Sequence, residues 1–199
     1  MALLHSFLLL TSLYAAFFTL HLFPATAEVD LISRTCHSTK FPGLCVSSLK
    51  SDPTSPNADT KGLAVIMVGI GMANATATSS YLSHLLNNNN NNNTTTRSNE
   101  MMTMTKKKLV KDCSDKYLYA RNALRDSLQD LAEENYDYAF MHISAAADYP
   151  NVCHNGFKRM KGLVYPAELA RRENGLKHIC DVVSGIVNLC LVGDSMFLH

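Results

Sequence analysis

Along most of this chain hydrophobic side chains recur at alternating steps of three and four, the period of an amphipathic helix. The clearest run begins near Lys106, where Val110, Cys113, Tyr117, Ala120, Leu124, Leu128 and Leu131 mark one face. A later run, Leu176, Ile179, Val183, Ile186 and Cys190, is widened by Cys180 and Val187. Between them Tyr136, Phe140, Ile143 and Ala147 make a shorter stripe. It should stop before Pro150, because proline lacks an N–H and crowds the preceding turn. Pro150 itself suits the first turn of a new short helix carrying Cys153 and Phe157. Upstream, Asp59 is placed to cap a helix from about Thr60 to Leu86, striped by Leu63, Ile66, Met67, Ile70, Ala73, Ala77, Tyr81 and Leu85. Gly69 and Gly71 weaken that helix and suit close packing against a neighbour.

Ahead of these, Leu31 to Leu49 alternates apolar and polar residues around a break at Phe41-Pro42-Gly43. This reads as a small helical hairpin followed by the proline-containing linker Ser51 to Pro56. No segment of useful length reads as strand. Helices joined by loops, without βαβ alternation, predict an all-α fold: an up-and-down four-helix bundle with an N-terminal helical hairpin. Residues 28–57 are assigned to the hairpin and linker and 58–194 to the bundle. Residues 87–99, with asparagines from Asn87 to Asn93 and then Thr94 to Thr96, read as a low-complexity loop.

The N-terminus adds a destination. Residues 1–27 hold no Asp, Glu, Lys or Arg and end in Ala25-Thr26-Ala27, the small-x-small pattern of a cleaved signal peptide, with retention as an uncleaved anchor the alternative. No later segment is expected to reach the length of a membrane span. What remains is the size of one domain. Its net charge of +1 argues against a nucleic-acid binder. Asn92-Asn93-Thr94, Asn93-Thr94-Thr95 and Asn74-Ala75-Thr76 are glycosylation sequons, so Asn74, Asn92 and Asn93 are candidate acceptors.

All six cysteines follow the signal peptide, as an oxidising compartment allows. Six thiols have 15 full pairings, and helix geometry narrows them. A Cys36–Cys45 bond would clamp the two arms of the hairpin. Cys113 opens one bundle helix and Cys153 lies just beyond the end of the next, and antiparallel neighbours would bring those ends together. Cys180 and Cys190 share one helix, roughly 15 Å apart along its axis, too far to bond to each other. They read as buried core thiols, with Cys190 pairing to another chain or standing as an exposed thiol as the alternative.

A search for chemistry finds little. Eight histidines come without HExxH or a zinc-type Cys/His spacing, so no metal is expected. There is no nucleophile elbow, P-loop or dinucleotide fingerprint, and no cofactor is implied. Asp126 and Asp130 share a helix face, but opposed carboxylates for glycoside chemistry need a cleft. A rigid stapled scaffold without a reaction centre suits a binder.

Arg34-Thr35-Cys36 through Cys45-Val46-Ser47-Ser48-Leu49, with its Cys-x8-Cys hairpin, resembles the opening of the plant invertase/pectin methylesterase inhibitor domain. Leu109-Val110-Lys111-Asp112-Cys113 with Tyr117 and Ala120 is similar to the family's second bundle helix. Tyr136-Asp137, Ser144 to Ala147 and Cys153 are similar to its third. Gly156-Phe157-Lys158 and Lys161-Gly162-Leu163-Val164 resemble the plane-tree pollen allergen subgroup. The resemblance covers about Asp30 to Leu191. It implies disulfides Cys36–Cys45 and Cys113–Cys153, and a one-to-one inhibitory complex with pectin methylesterase or acid invertase in the apoplast, with the vacuole as the alternative site. It implies no enzymatic activity. Invertase inhibitors of the family can present Pro-Lys-Phe where Tyr136-Asp137-Tyr138 stands here, and pectin methylesterase inhibitors tend to carry acids after the tyrosine matching Tyr117. Neither mark is present. Pectin methylesterase is the expected target, with contacts from Tyr119, Arg121, Tyr136, Asp137 and Tyr138, since Tyr and Arg anchor interfaces. A reading of another class is a non-inhibitory secreted bundle with a structural or ligand-carrying role.

Overall fold

The computed structural model describes residues 26–88 and 97–196. Helices α1 (Thr26–His37) and α2 (Pro42–Lys50) form the hairpin, and a 3-10 turn (Ser55–Asn57) leads to the bundle. The bundle helices are α3 (Thr60–Asn88), α4 (Arg97–Ala132), α5 (Tyr136–Lys158) and α6 (Ala167–Met196). Each packs on its two neighbours in the order α3, α4, α5, α6 and back to α3, the up-and-down arrangement. Residues 1–25, most of the expected signal peptide, lie outside the described residues, as do Asn92 and Asn93.

Local sequence accounts for much of this. Asp59 Oδ1 accepts the Gly62 amide at 2.7 Å and so caps α3. The α4 stripe points inward as its period requires: Val110, Cys113, Tyr117, Ala120, Leu124 and Leu131 are buried. The α6 stripe does the same, Cys180 and Cys190 included. Burial pushes the Cys180 thiol up to about 12, so it stays protonated and inert at neutral pH.

Four expectations change. First, α5 runs unbroken through Pro150, which is buried inside it. The lost hydrogen bond is tolerated because Cys153 and Phe157, in the next two turns, are also buried in the core. Second, the outer residues of the 87–99 segment are helical, since α3 reaches Asn88 and α4 starts at Arg97; residues 89–96 lie outside the described residues. Third, Ala73 and Ala77 face outward while Ala75, Thr78 and Leu82 face in. From Gly62 to Asn88 this helix has no Asp, Glu, Lys or Arg, so no polar contrast marks its inner face. Fourth, Thr60–Asn87 and Ala167–Gly193 are long and apolar enough to cross a membrane by length and composition. Their apolar residues are instead bundle core, among them Leu63, Met67, Leu176 and Val183.

Glycines set two close approaches. A Cβ on Gly71 would lie 3.0 Å from Leu124 Cδ1, so its absence lets α3 and α4 close together. A Cβ on Gly185 would meet Thr39 Cα at 3.2 Å. That contact seats the hairpin on α6, beside a Lys40–Asp181 ion pair at 2.9 Å and Phe41 against the His178 ring at 4.0 Å. Gly185→Val should therefore push the hairpin off, costing about 1–3 kcal/mol. Faster amide exchange confined to residues 31–50 would show it; unchanged exchange there would refute it.

Candidate functional site

The exposed surface between α4 and α5 carries a groove. It has a volume of about 430 Å³ and runs over the Cys113–Cys153 disulfide, with Lys116 and Tyr119 on one wall and Val152, Gly156 and Arg159 on the other. Tyr119 is 48% exposed; its ring lies 5.7 Å from that of Tyr149 and 5.1 Å from the Lys116 ammonium. An aromatic face beside Val152, the Lys116 and Arg159 cations and the Asp112 and Asp115 carboxylates suits contact with a partner side chain.

The contact residues named from sequence are only partly brought together. Tyr119 and Tyr138 are exposed, Tyr138 by 62%. Eleven residues separate Tyr138 from Tyr149, the ring packed on Tyr119, which is roughly 16 Å along α5. Arg121 is half-buried, near Asn122 at 3.3 Å, and sits two residues from Tyr119, so the two cannot share a face. Tyr136 does not serve as a surface contact: it is only 8% exposed and packs in the core, because neighbours two apart on a helix point in different directions. Asp137 is exposed in the first turn of α5, where its charge suits the helix N-terminus.

The α4–α5 turn that presents Asp137 and Tyr138 is tightly built. Asn135 N–H bonds the Asp130 carbonyl at 2.8 Å and Glu134 N–H bonds that of Leu131 at 3.3 Å, the double closure of a Schellman cap. Glu134 takes the left-handed conformation (φ 61°) usually given to glycine there. Its carboxylate accepts from Lys61 at 2.7 Å, tying the turn to the start of α3. Asp130 and His142 meet at 2.6 Å between α4 and α5 near this turn.

Both expected disulfides are formed, Cys36–Cys45 within the hairpin and Cys113–Cys153 between α4 and α5. Asn74 faces α6, with its Nδ2 3.4 Å from where a Cβ on Gly175 would stand and its Oδ1 buried without a partner.

Between α5 and α6 lies a charged cluster that the sequence pattern does not mark. Glu173, 3% exposed, accepts from Lys177, from Tyr165 Oη at 2.8 Å and from His154 Nδ1 at 3.1 Å. Lys177 also donates to Asn151 Oδ1. Burial pushes the Glu173 carboxyl up, but the bonds from Lys177, Tyr165 and His154 outweigh it and hold it below the usual carboxylate range. Tyr117, fully buried nearby, has its phenol pushed well up by burial and by the Glu173 charge. Among the described residues, no three His, Cys, Asp or Glu side chains are grouped to hold a metal.

Residues 30–186 match the profile of the plant invertase/pectin methylesterase inhibitor family. The chain belongs to that family. Its members are proteinaceous inhibitors, so this protein is an inhibitor of a plant cell-wall enzyme and not itself an enzyme. The bundle superposes on a mutant form of a pectin methylesterase inhibitor from Arabidopsis with a TM-score of 0.59, covering 79% of this chain and 95% of that one at 24% identity. That likeness concerns the fold alone.

Among relatives by sequence, the "Cell wall / vacuolar inhibitor of fructosidase 2" of Arabidopsis thaliana is 51% identical over 158 residues, covering 79% of this chain and 82% of the relative. The "Pectinesterase inhibitor 28" of Oryza sativa subsp. japonica is 38% identical, covering 83% and 71%. A Platanus acerifolia relative is 28% identical, covering 78% and 84%. The plane-tree subgroup is therefore not the nearest kin that the Gly156 to Val164 stretch implied. That stretch straddles the end of α5 and the turn after it, a short piece of the family pattern.

Proposed function

We propose that this protein inhibits an acid invertase (β-fructofuranosidase) by binding it one-to-one, in the cell wall or vacuole after signal-peptide cleavage. The 51% identity to the Arabidopsis fructosidase inhibitor carries this reading and favours invertase over pectin methylesterase, the target expected from sequence alone. The 38% identity to the rice pectinesterase inhibitor keeps pectin methylesterase as the second reading. Docking uses the outer α4/α5 face, with Tyr119 at the groove and Asp137 and Tyr138 at the turn; Arg121 contributes from the flank. No cofactor takes part. Asn92 and Asn93 are the proposed glycan acceptors.

Purified mature protein mixed with each enzyme across acidic pH tests the target. Invertase activity should fall to near zero at stoichiometric excess while pectin methylesterase activity persists. Tyr119→Ala and Tyr138→Ala should each weaken inhibition by about 30-fold, the size of an aromatic anchor. Inhibition of pectin methylesterase alone would transfer the assignment to the second reading. Inhibition of neither would leave a non-inhibitory bundle.

A further inference from the structure

Pro150 divides α5 into two halves that are held in different ways. The first half is a regular helix on the core. Across the division one backbone hydrogen bond is missing, because proline has no N–H to give to the carbonyl four residues back. The second half carries one wall of the α4/α5 groove, Val152, Gly156 and Arg159. It is anchored on one side to α4 by the Cys113–Cys153 disulfide. Its other side lines a cleft of about 320 Å³ against α6, and there the Glu173 cluster grips it through Asn151 and His154. Tyr165 stitches the connecting segment into the same cluster, with its ring 4.5 Å from His154 and 5.3 Å from Phe157.

The disulfide and the buried Phe157 hold the half-helix on its core side. The Glu173 cluster adds a grip on the α6 side, through Asn151 and His154. We propose that Glu173 is a positioning residue for target docking, which fixes the half-helix beyond Pro150 through Lys177–Asn151 and His154 and so aims Val152, Gly156 and Arg159 at the enzyme. The proposal rests on the α4/α5 groove being the docking face. Glu173 itself faces α6 and touches no partner.

The test uses the full mature protein. In Glu173→Gln, amide exchange over residues 151–158 should speed up by about tenfold or more relative to α3, and inhibition should weaken by a similar factor. Adding Pro150→Ala restores the missing donor and stiffens the division, so Pro150→Ala/Glu173→Gln should regain most of the inhibition. Asn151→Ala, which removes only the Lys177 acceptor on α5, should give the same pattern at smaller amplitude if Glu173→Gln folds poorly. Unchanged exchange over 151–158, or a loss of inhibition that Pro150→Ala does not repair, would overturn the proposal. If the wild-type protein inhibits neither enzyme, the docking reading fails and takes the role in docking with it. The exchange data would still report separately on whether the cluster holds the half-helix.

Discussion

Cys113→Ala/Cys153→Ala is expected to lower the thermal midpoint by about 10 °C. The bridge closes a separation of 40 residues, for which the chain-entropy model gives about 3–4 kcal/mol. For a domain of this size each kcal/mol moves the midpoint by about 2–4 °C. Both cysteines are buried, so the double variant also loses some core contact and the estimate is not inflated by an exposed site. The Cys36–Cys45 bridge spans only nine residues and lies within the hairpin, so its loss should be smaller and felt locally. Calorimetry of both variants checks the order. A change under about 1 kcal/mol for the long bridge would mean that the α4–α5 pairing is already retained in the unfolded chain. Non-reducing peptide mapping of the wild type should recover both pairs, with Cys180 alkylated only after unfolding.

Glu173→Gln is expected to cost about 2–4 kcal/mol at neutral pH, because it leaves Lys177 and His154 facing an amide in a buried site. Its pH dependence follows from the sign of the shift. The carboxyl is held below its usual range in the folded protein, so the stabilisation is fully present above the unfolded value, about 4.3. It is lost as pH falls through the lower folded value. The difference between wild type and variant should thus shrink below about pH 4. A difference that persisted undiminished well below that pH would mean that an ionised Glu173 is not its source. The cluster therefore stays charged at the mildly acidic pH at which inhibition is to be tested.

Different helices were legible to different degrees. The α4 stripe could be read because charged residues fill its opposite face, and the α6 stripe because its large apolar residues keep the helical period; nearly every position assigned to the core is buried. Helix α3 resisted because Gly62 to Asn88 offers small and apolar residues on all sides; only its neighbours decide that Ala75 is inside and Ala73 outside. At Pro150 the local rule predicted a break, and packing on both sides of the proline overruled it. Glu173 was invisible for a related reason. In Arg171-Arg172-Glu173-Asn174 it looks like one charge on a solvated face. Its burial depends on His154 and Tyr165, 19 and 8 residues away, as well as on Lys177 one turn along.

By itself, then, the sequence determined the helical class, which follows from periodicity within each segment, and it carried the family resemblance, which implied the two disulfides. Which of the proposed contact residues reach the surface was decided only by tertiary structure. Tyr119 and Tyr138 project outward, Tyr136 turns into the core and Arg121 to the flank, according to which side of each helix its neighbours cover. Which residues hold that surface was likewise undetermined in one dimension. A buried carboxylate is stable only where separate elements bring donors to it, and such convergence leaves no local pattern.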